Sequence, residues 1–493
     1  MLCRWIAAEH HQVTFASPYF VLVFVPVASV FVFVLSRFGT LAATFALIIV
    51  SLGFYASWGI ESLAVLSGSI VINYLLRSGL ILAMQKGNPR TARCLLVLTV
   101  LLNLSVLFFF KYLAMFAAAL SGSFSPTTQS LWLPLGISFF TFQEITLAVD
   151  AYKGNFHRSL VRYVAFITFF PHLIAGPLLH HAELIPQMGK IKLLKSNIAL
   201  GLTIFAAGMF KKVCLADPLA PVAALVFDSA VAPGFADAWI GALAYAMQLY
   251  FDFSGYSDMA IGLALLFNIK LPVNFNSPYK STSIIEFWRR WHMTLSRFLR
   301  EYIYIPLGGN RLGGTRRYLN VFLVMLIGGA WHGANWTFVV WGALHGILLL
   351  VNHAWREYQG IPRRFNLRIG PTAGRVMTFV FVLIAWVPFR APSIDRAVEV
   401  WAGMLGLHGF PGAAAAEFQG AIALLFALLF AVQILPNTAE VMLAGRSTTF
   451  GYPAVGRWCW RPRMSTSILV GIALGISLSA SIHGTKIFLY WNF

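Results

Sequence analysis

Long apolar runs alternate with short polar loops along the whole chain. In the N-terminal third, runs of membrane-spanning length lie at residues 19–35, 41–58, 63–84, 94–120 and 131–149. Further runs lie at residues 213–227, 239–267, 376–389, 421–435 and 468–482. About 20 apolar residues cross a bilayer as a helix. The pattern therefore predicts an all-α polytopic membrane protein that forms a single domain over residues 1–493.

The charges in the loops predict how these helices are oriented. Lys and Arg occur in the first, third and fifth loops, whereas the second and fourth loops contain neither. Short cytoplasmic loops are rich in Lys and Arg, so the N-terminus is expected outside. By the same rule, five basic loops are expected to be cytoplasmic, namely those that hold Arg90, Lys192, Arg316, Arg364 and Arg457. Lys211 and Lys212 are expected to mark another cytoplasmic edge.

Two apolar segments contain residues that interrupt a straight helix. Residues 164–179 contain Pro171 and Pro177, and both flanks are basic. A re-entrant segment fits this pattern, because broken backbone at membrane depth is stable only inside protein. Residues 239–267 contain the stretch FDFSGYSDM, where a break is expected. Its aspartates, Asp252 and Asp258, would either cap helix ends or line a polar, substrate-binding cavity.

A basic, aromatic stretch begins near Ser283, which has the capping-box spacing S-x-x-E to Glu286. At 100° per residue, four arginines fall within an arc of roughly 100°: Arg289, Arg290, Arg297 and Arg300. Aromatic and aliphatic side chains, including Trp291, fill the opposite side. The pattern predicts one amphipathic helix at the membrane interface. His292 lies at the border of its apolar face, so it can point into the protein while the arginines face the cytoplasm.

His332 stands in an otherwise almost wholly apolar stretch, between runs at residues 319–330 and 336–351. Basic residues flank both ends, which favours a hairpin that carries His332 into the membrane, although a single broken span is an alternative. An ionisable residue at membrane depth indicates a functional site. A neutral imidazole can act as a general base or an acyl acceptor, but a buried histidine often only bonds a carbonyl. His345 is interpreted as structural.

Other candidate chemistry is weaker. His172, His180 and His181 form a second cluster, but neither Cys nor a carboxylate completes a metal-ligand set in the sequence. The four cysteines are scattered and offer neither a disulfide framework nor a metal site. The net charge of +19 lies in short loops, which indicates anionic lipid head groups or a phosphorylated cofactor on the cytoplasmic side as counter-charges. A nucleic-acid partner is not expected, because no basic domain stands apart from the membrane spans.

Several motifs together resemble the membrane-bound O-acyltransferase family, in its bacterial alginate O-acetyltransferase branch. They include FFPHLIAGP from Phe169, GMFKKVCLAD from Gly208 and QLYFDFSGYSDMAIG from Gln248. They continue with EFWRRWHMTLSRFLREYIYIPLGGNR from Glu286 and WHGANWTFVVWGALHG from Trp331. The resemblance runs from near Phe15 to the C-terminus, which implies that residues 1–14 are an N-terminal extension outside the core.

The resemblance implies a ring of tilted transmembrane helices around a central funnel and tunnel, with re-entrant and interfacial helices. It implies that His332 is the family's catalytic histidine and that His292 is a second catalytic residue. Candidate substrate- or donor-binding residues are Arg289, Arg290, Trp291, Asn335 and Asp258. No bound cofactor or metal is expected.

The implied reaction passes acetyl groups from a cytoplasmic donor, acetyl-CoA by default, across the bacterial inner membrane for O-acetylation of an exopolysaccharide, most often alginate. A periplasmic acetyltransferase of the SGNH-hydrolase type and polysaccharide-export components are the implied partners. Cellulose and peptidoglycan are alternative acceptors. A polysaccharide transporter without chemistry is the alternative from another functional class, but transporters commonly show internal repeats, and none is visible in the sequence.

Overall fold

A computed structural model describes residues 13–120, 133–174, 176–359, 370–410, 418–444, 460–483 and 489. Arg364 and Arg457, used in the topology prediction, lie outside these residues, as does nearly all of the N-terminal extension. The described residues form helices joined by loops and contain no strand. This confirms the all-α fold class.

The described residues of the N-terminal half form a series of helices. The first six are α1 (Val25–Ser36), α2 (Thr40–Ala56), α3 (Ile60–Gln85), α4 (Pro89–Leu107), α5 (Leu113–Leu120) and α6 (Ile137–Tyr152). The next six are α7 (Leu160–Thr168), α8 (Phe170–Leu173), α9 (His181–Met188), α10 (Lys195–Phe210), α11 (Ala220–Phe227) and α12 (Phe235–Leu266). The break between α7 and α8 confirms that residues 164–179 do not form a straight helix.

The C-terminal half contains both short and long helices. They are α13 (Ile284–Arg290), α14 (Met293–Leu299), α15 (Gly314–His332), α16 (Trp336–Gln359), α17 (Pro371–Arg390), α18 (Ile394–Met404), α19 (Gln419–Ile434), α20 (Thr438–Met442) and α21 (Met464–His483). Four π-helical turns continue or precede these helices, at Phe20–Phe24, Phe108–Tyr112, Lys211–Ala216 and Arg300–Tyr304. Such turns are rare and occur frequently at functional sites.

Six helical segments of the described chain are long and apolar enough to cross a membrane. They are Ile60–Gln85, Pro89–Leu120, Lys195–Phe227, Trp336–Glu357, Pro371–Arg390 and Met464–Ile482. Shorter apolar helices lie at Phe20–Ser36, Thr40–Ala56 and Gln419–Ile434. These segments confirm a multi-pass membrane protein.

Helices α10 and α12 pack against each other through two pairs of glycines. A Cβ atom on Gly208 would lie 2.5 Å from the carbonyl oxygen of Gly255, and one on Gly201 would lie 2.6 Å from that of Gly262. Small residues let two membrane helices approach backbone to backbone. The pairs 201–262 and 208–255 run in opposite directions along the chain, so the two helices are antiparallel.

We expect Gly208→Ala to destabilise the protein, because the added methyl group has no space between α10 and α12. Overpacking of this kind costs about 1–3 kcal/mol. Gly68→Ala in α3 is a matched control, since a Cβ atom there meets no other atom within 4 Å. Thermal unfolding of the detergent-solubilised variants measures the difference. Equal melting temperatures for the two variants would contradict this account of the helix contact.

Lys211 and Lys212, which were predicted to mark a cytoplasmic edge, do not lie in a loop between two helices. Both lie inside the 33-residue helical segment Lys195–Phe227. The ammonium of Lys211 pairs with Asp258 at 2.7 Å, and that of Lys212 pairs with Asp252 at 2.5 Å and Asp217 at 2.6 Å. Buried charges persist when they are paired. The carboxylates of α12, and that of Asp217 directly after the π-helical turn, therefore hold these lysines within the helical segment.

The predicted helix break at FDFSGYSDM is also wrong, because α12 is continuous over 32 residues. Gly255 at the centre of this stretch provides space for α10 and does not end a helix. Asp252 and Asp258 therefore cap no helix terminus and instead bond the two lysines of the π-helical turn that follows α10. Hydroxyl Oγ1 of Thr438 also donates to Asp258, at 2.7 Å.

Candidate active site

Helices α15 and α16 form an antiparallel hairpin, as predicted, and this excludes a single broken span. Glycines bring the two backbones close: a Cβ atom on Gly342 would lie 2.5 Å from the carbonyl oxygen of Met325. At the closed end, the ring of Phe338 covers Gly333 so closely that a Cβ atom there would clash with it. His332 is the last residue of α15 and therefore lies at the closed end of the hairpin.

The imidazole of His332 lies in an aromatic box. Its ring centroid is 5.0 Å from Trp331, 5.1 Å from Trp341 and 5.2 Å from Phe389. His332 itself is 3% exposed. An apolar, water-poor surrounding strengthens electrostatic interactions with a reacting group. The site is therefore suited to proton or acyl transfer.

The predicted continuous amphipathic helix is wrong, because the chain breaks at His292. Helix α13 ends at Arg290 and α14 begins at Met293, while His292 has φ 42° and ψ 54°. The preceding extended segment satisfies the backbone at the break: the N–H of Asn276 donates to Arg290 O, and that of Met293 donates to Asn274 O, both at 2.9 Å. These long-range bonds turn His292 inward.

Helix α13 begins with the predicted cap at Ser283, but the Glu286 side chain bonds a residue other than Ser283. Oγ of Ser283 accepts from the N–H of Glu286 at 3.2 Å, but the Glu286 carboxylate accepts from the N–H of Thr282 at 2.8 Å. Burial favours a higher pKa for Glu286, but the Thr282 bonds and the Arg290 guanidinium, 2.8 Å away, hold that pKa below its usual value. Arg290 is thus bound to its own helix, whereas Arg289 is exposed.

Asn274 orients His292. Its side-chain oxygen lies 3.1 Å from Nδ1 of His292 and also accepts from the N–H and Oγ1 of Thr294, at 3.3 Å and 3.0 Å. Because this oxygen only accepts, the hydrogen-bond network assigns the proton of a neutral His292 to Nδ1. The lone pair then lies on Nε2, where a general base needs it.

The fold brings the two predicted catalytic histidines together from separate helices. The ring centroids of His292 and His332 are 6.4 Å apart, and Trp331 lies beside both. Both side chains are buried. Two imidazoles at this separation can share one reacting group between them.

The remaining predicted site residues lie farther from this pair or are engaged in other contacts. Trp291 is buried between Phe287 and Trp386. The amide of Asn335 donates to Pro392 O at 2.9 Å, and its side-chain oxygen accepts from the N–H of Thr337. These bonds hold the turn into α16.

Asp258 lines a small cavity with Ser257 and Asn274. Asn274 lies between this cavity and His292, to which it is bonded. The carboxylate of Asp258 is already paired with Lys211. His345 accepts from Nε1 of Trp288 at 3.3 Å and is enclosed by aromatic rings, as a structural histidine would be.

The second histidine cluster is divided. His180 and His181 both face Asp150, with His181 Nε2 at 3.1 Å from the carboxylate, whereas His172 lies beside Gln143. His180 Nε2 also lies 2.8 Å from Glu301. Among the described residues, no group of three or more His, Cys, Asp or Glu side chains could hold a metal ion.

Two features of the site were missed in the sequence. Asn274 could not be found, because an asparagine 18 residues before His292 carries no local signal of contact. Lys111 could have been found, since it interrupts an apolar run just as His332 does. Its ammonium donates to Trp331 O at 2.6 Å and to His332 O at 3.2 Å.

The chain is similar in sequence to known membrane acyltransferases. The model of the membrane-bound O-acyltransferase family matches residues 93–389, which include both histidines. The chain is 44% identical over 429 residues to the peptidoglycan O-acetyltransferase of Helicobacter pylori, covering 80% of each protein. It is 44% identical over 359 residues to the probable alginate O-acetylase of Azotobacter vinelandii, covering 71% of this chain and 70% of that protein. Its identity to the corresponding Pseudomonas aeruginosa protein is 41% over 398 residues, covering 79% and 74%. The chain belongs to the membrane-bound O-acyltransferase family and is an acyltransferase.

Proposed function

We propose that the protein moves acetyl groups across the inner membrane for O-acetylation of an exported polysaccharide, with alginate as the first candidate. The observation that carries the proposal is the meeting of His292 and His332 in a buried aromatic site. The similarity of the chain to the probable alginate O-acetylases of Azotobacter and Pseudomonas supports alginate. Membership of an acyltransferase family favours chemistry over transport.

The two histidines would share the work of acyl transfer. An acceptor hydroxyl attacks the acetyl carbonyl carbon while His332 takes its proton. A new C–O bond forms, the thioester C–S bond breaks, and the proton passes from the imidazole to the leaving thiolate. His292, held by Asn274, presents Nε2 toward the same reacting group and orients it.

Acetyl-CoA is the proposed donor. A cavity of about 620 Å³ lies among α16, α17 and the start of α13, with apolar walls and the polar side chains of Ser283 and Arg356. The positive-inside rule places these basic elements at the cytoplasmic side. Arg289 and Arg290 would attract the phosphates of the donor or anionic lipid head groups there.

A periplasmic partner of the SGNH type would receive the acetyl group and place it on the sugar, together with polysaccharide-export components. The basis is the family resemblance. The arrangement requires the acceptor to approach His332 from the face opposite the cytoplasmic donor. Nucleic acid is not part of the proposal.

Peptidoglycan is the second candidate acceptor, because the Helicobacter pylori relative is matched over 80% of its length. The same histidine chemistry applies to a muramic-acid hydroxyl. The two candidates differ in the periplasmic partner that would accept the acetyl group.

Complementation tests the proposal. We expect the protein to restore acetyl groups on alginate in a strain that lacks its own alginate O-acetylase but keeps the periplasmic partners. The measurement is the acetyl content of purified alginate at matched membrane levels of the protein. A parallel strain that lacks its peptidoglycan O-acetyltransferase reports O-acetylated muramic acid.

The His332→Ala variant is the control in both strains. Acetylation of muramic acid alone would make peptidoglycan the acceptor. Restored polymer secretion without acetylation, or acetylation that His332→Ala supports equally well, would contradict the proposal.

A further inference from the structure

Two neighbouring side chains hold the end of the helix that carries His332. The last carbonyl groups of a helix have no partner within that helix. The hydroxyl of Tyr112 donates to Ala330 O at 2.7 Å, and the ammonium of Lys111 donates to Trp331 O at 2.6 Å and His332 O at 3.2 Å. Three consecutive terminal carbonyls of α15 are therefore bonded by adjacent residues of one π-helical turn.

The environment of Lys111 is built around these bonds. Its third contact is with Oγ of Ser138 at 3.2 Å, so all three N–H donors of the ammonium have an acceptor. Lys111 is 8% exposed. Burying a charge is costly unless it is well bonded, and the negative end of a helix dipole at the α15 C-terminus offsets part of that cost.

Lys111 also borders a cavity next to the catalytic histidine. The cavity has a volume of about 80 Å³, and its walls include Gly136, Ser138, Ile174 and His332. Lys111 therefore bonds the backbone of His332 at the border of a cavity that both residues line. This position differs from that of His292, which reaches the site from the break between α13 and α14.

We propose that Lys111, with Tyr112, is a positioning residue for acyl transfer. Its ammonium fixes the end of α15 and thereby sets the place and direction of the His332 imidazole relative to His292. This inference rests on the proposed function of the histidine pair. A displacement of about 1 Å at a catalytic group can cost on the order of 10²-fold in rate, so loss of these bonds lowers turnover more than donor binding.

The first test compares Lys111→Met with Lys153→Met. Methionine keeps the unbranched chain of lysine up to Cε but has no ammonium and donates no hydrogen bond. Lys153 is an exposed lysine at the end of α6. We expect Lys111→Met to lower kcat for CoA release from acetyl-CoA by about 10- to 100-fold, with KM changed less than about twofold. Lys153→Met should match the wild type. An unchanged kcat for Lys111→Met would overturn the proposal.

Chemical rescue separates positioning from packing. Lys111→Ala leaves space beside the existing cavity, which added propylammonium can enter and use to donate the missing bonds. Tetramethylammonium carries the same charge without an N–H donor. We expect propylammonium to raise the turnover of Lys111→Ala about tenfold and tetramethylammonium to leave it unchanged. Equal effects of the two cations would assign Lys111 a purely electrostatic or structural role and overturn the proposal.

Histidine reactivity provides a readout that needs no donor. We expect Lys111→Met to change the rate at which diethyl pyrocarbonate modifies His332 by at least about threefold, measured by mass spectrometry. Tyr112→Phe, which loses only the bond to Ala330, should show a smaller change. If wild-type protein releases no CoA but His332 reactivity responds to Lys111→Met, the proposed function fails while the positioning holds. An unchanged reactivity would reject the positioning itself.

Discussion

Replacement of His332 by alanine is expected to abolish acetyl transfer while the protein still inserts and accumulates. Removal of a general base or acyl acceptor costs on the order of 10²–10⁴-fold in rate. The backbone carbonyl of His332 that Lys111 bonds is kept in the variant, so the end of α15 should stay in place. The loss then reports the imidazole alone.

Polymer acetyl content in cells that express each variant at matched membrane level measures this effect. His345→Ala is the comparison, because His345 is also buried among aromatic rings but bonds Trp288. We expect His345→Ala to keep most activity per molecule. Normal acetylation by the His332 variant would contradict a catalytic role for His332 and would favour a transport or scaffold role for the protein.

Replacement of His292 should also be severe, and the structure suggests two variants. His292 has a left-handed backbone with φ 42°, which asparagine tolerates better than alanine. His292→Asn therefore removes the imidazole with little backbone strain, whereas His292→Ala adds strain. We expect both variants to lose activity by about 10²-fold or more, somewhat less than His332→Ala, because His332 stays in place.

Comparison of the two His292 variants with their thermal stabilities identifies the cause. The asparagine variant should unfold nearly like the wild type and the alanine variant earlier, although both are inactive. An active His292→Asn variant would show that the position serves only to turn the backbone between α13 and α14. The imidazole of His292 would then have no part in the reaction.

Most of the helices were predictable because their signal is local. Hydrophobic runs such as residues 63–84 correspond to helices such as Ile60–Gln85, with ends that differ by a few residues. The hairpin around His332 was predicted from its basic flanks. Each of these features depends on composition over a short window, which the sequence displays directly.

Local signals failed where a distant partner decides the structure. Lys211 and Lys212 were expected between two helices, but they lie within a helical segment, where Asp258 and Asp252 of another helix pair with them. Gly255 resembles a helix end until Gly208 is seen to pack against it. In each case the partner lies at least 40 residues away, so no short window of the sequence contains both halves of the contact.

The candidate site divides in the same way. His332 and His292 were identified from their apolar surroundings and from the family motifs. The helix break that turns His292 inward was missed. It depends on two backbone hydrogen bonds from a distant segment, one between Asn276 and Arg290 and one between Met293 and Asn274. The segments before and after His292 are both helical, so their side chains follow the 100° periodicity of one continuous helix, and the sequence pattern does not show the break.

The hold on the end of α15 has a consequence for how the protein tolerates mutation. Lys111 and Tyr112 bond main-chain oxygens of residues 330–332, and every amino acid supplies such an oxygen. Position 330 can therefore change its side chain without breaking the attachment, whereas the donors at 111 and 112 have few substitutes. For this attachment, substitutions are expected to be tolerated at position 330, which supplies only a main-chain oxygen, and to be restricted at positions 111 and 112, which supply side-chain donors.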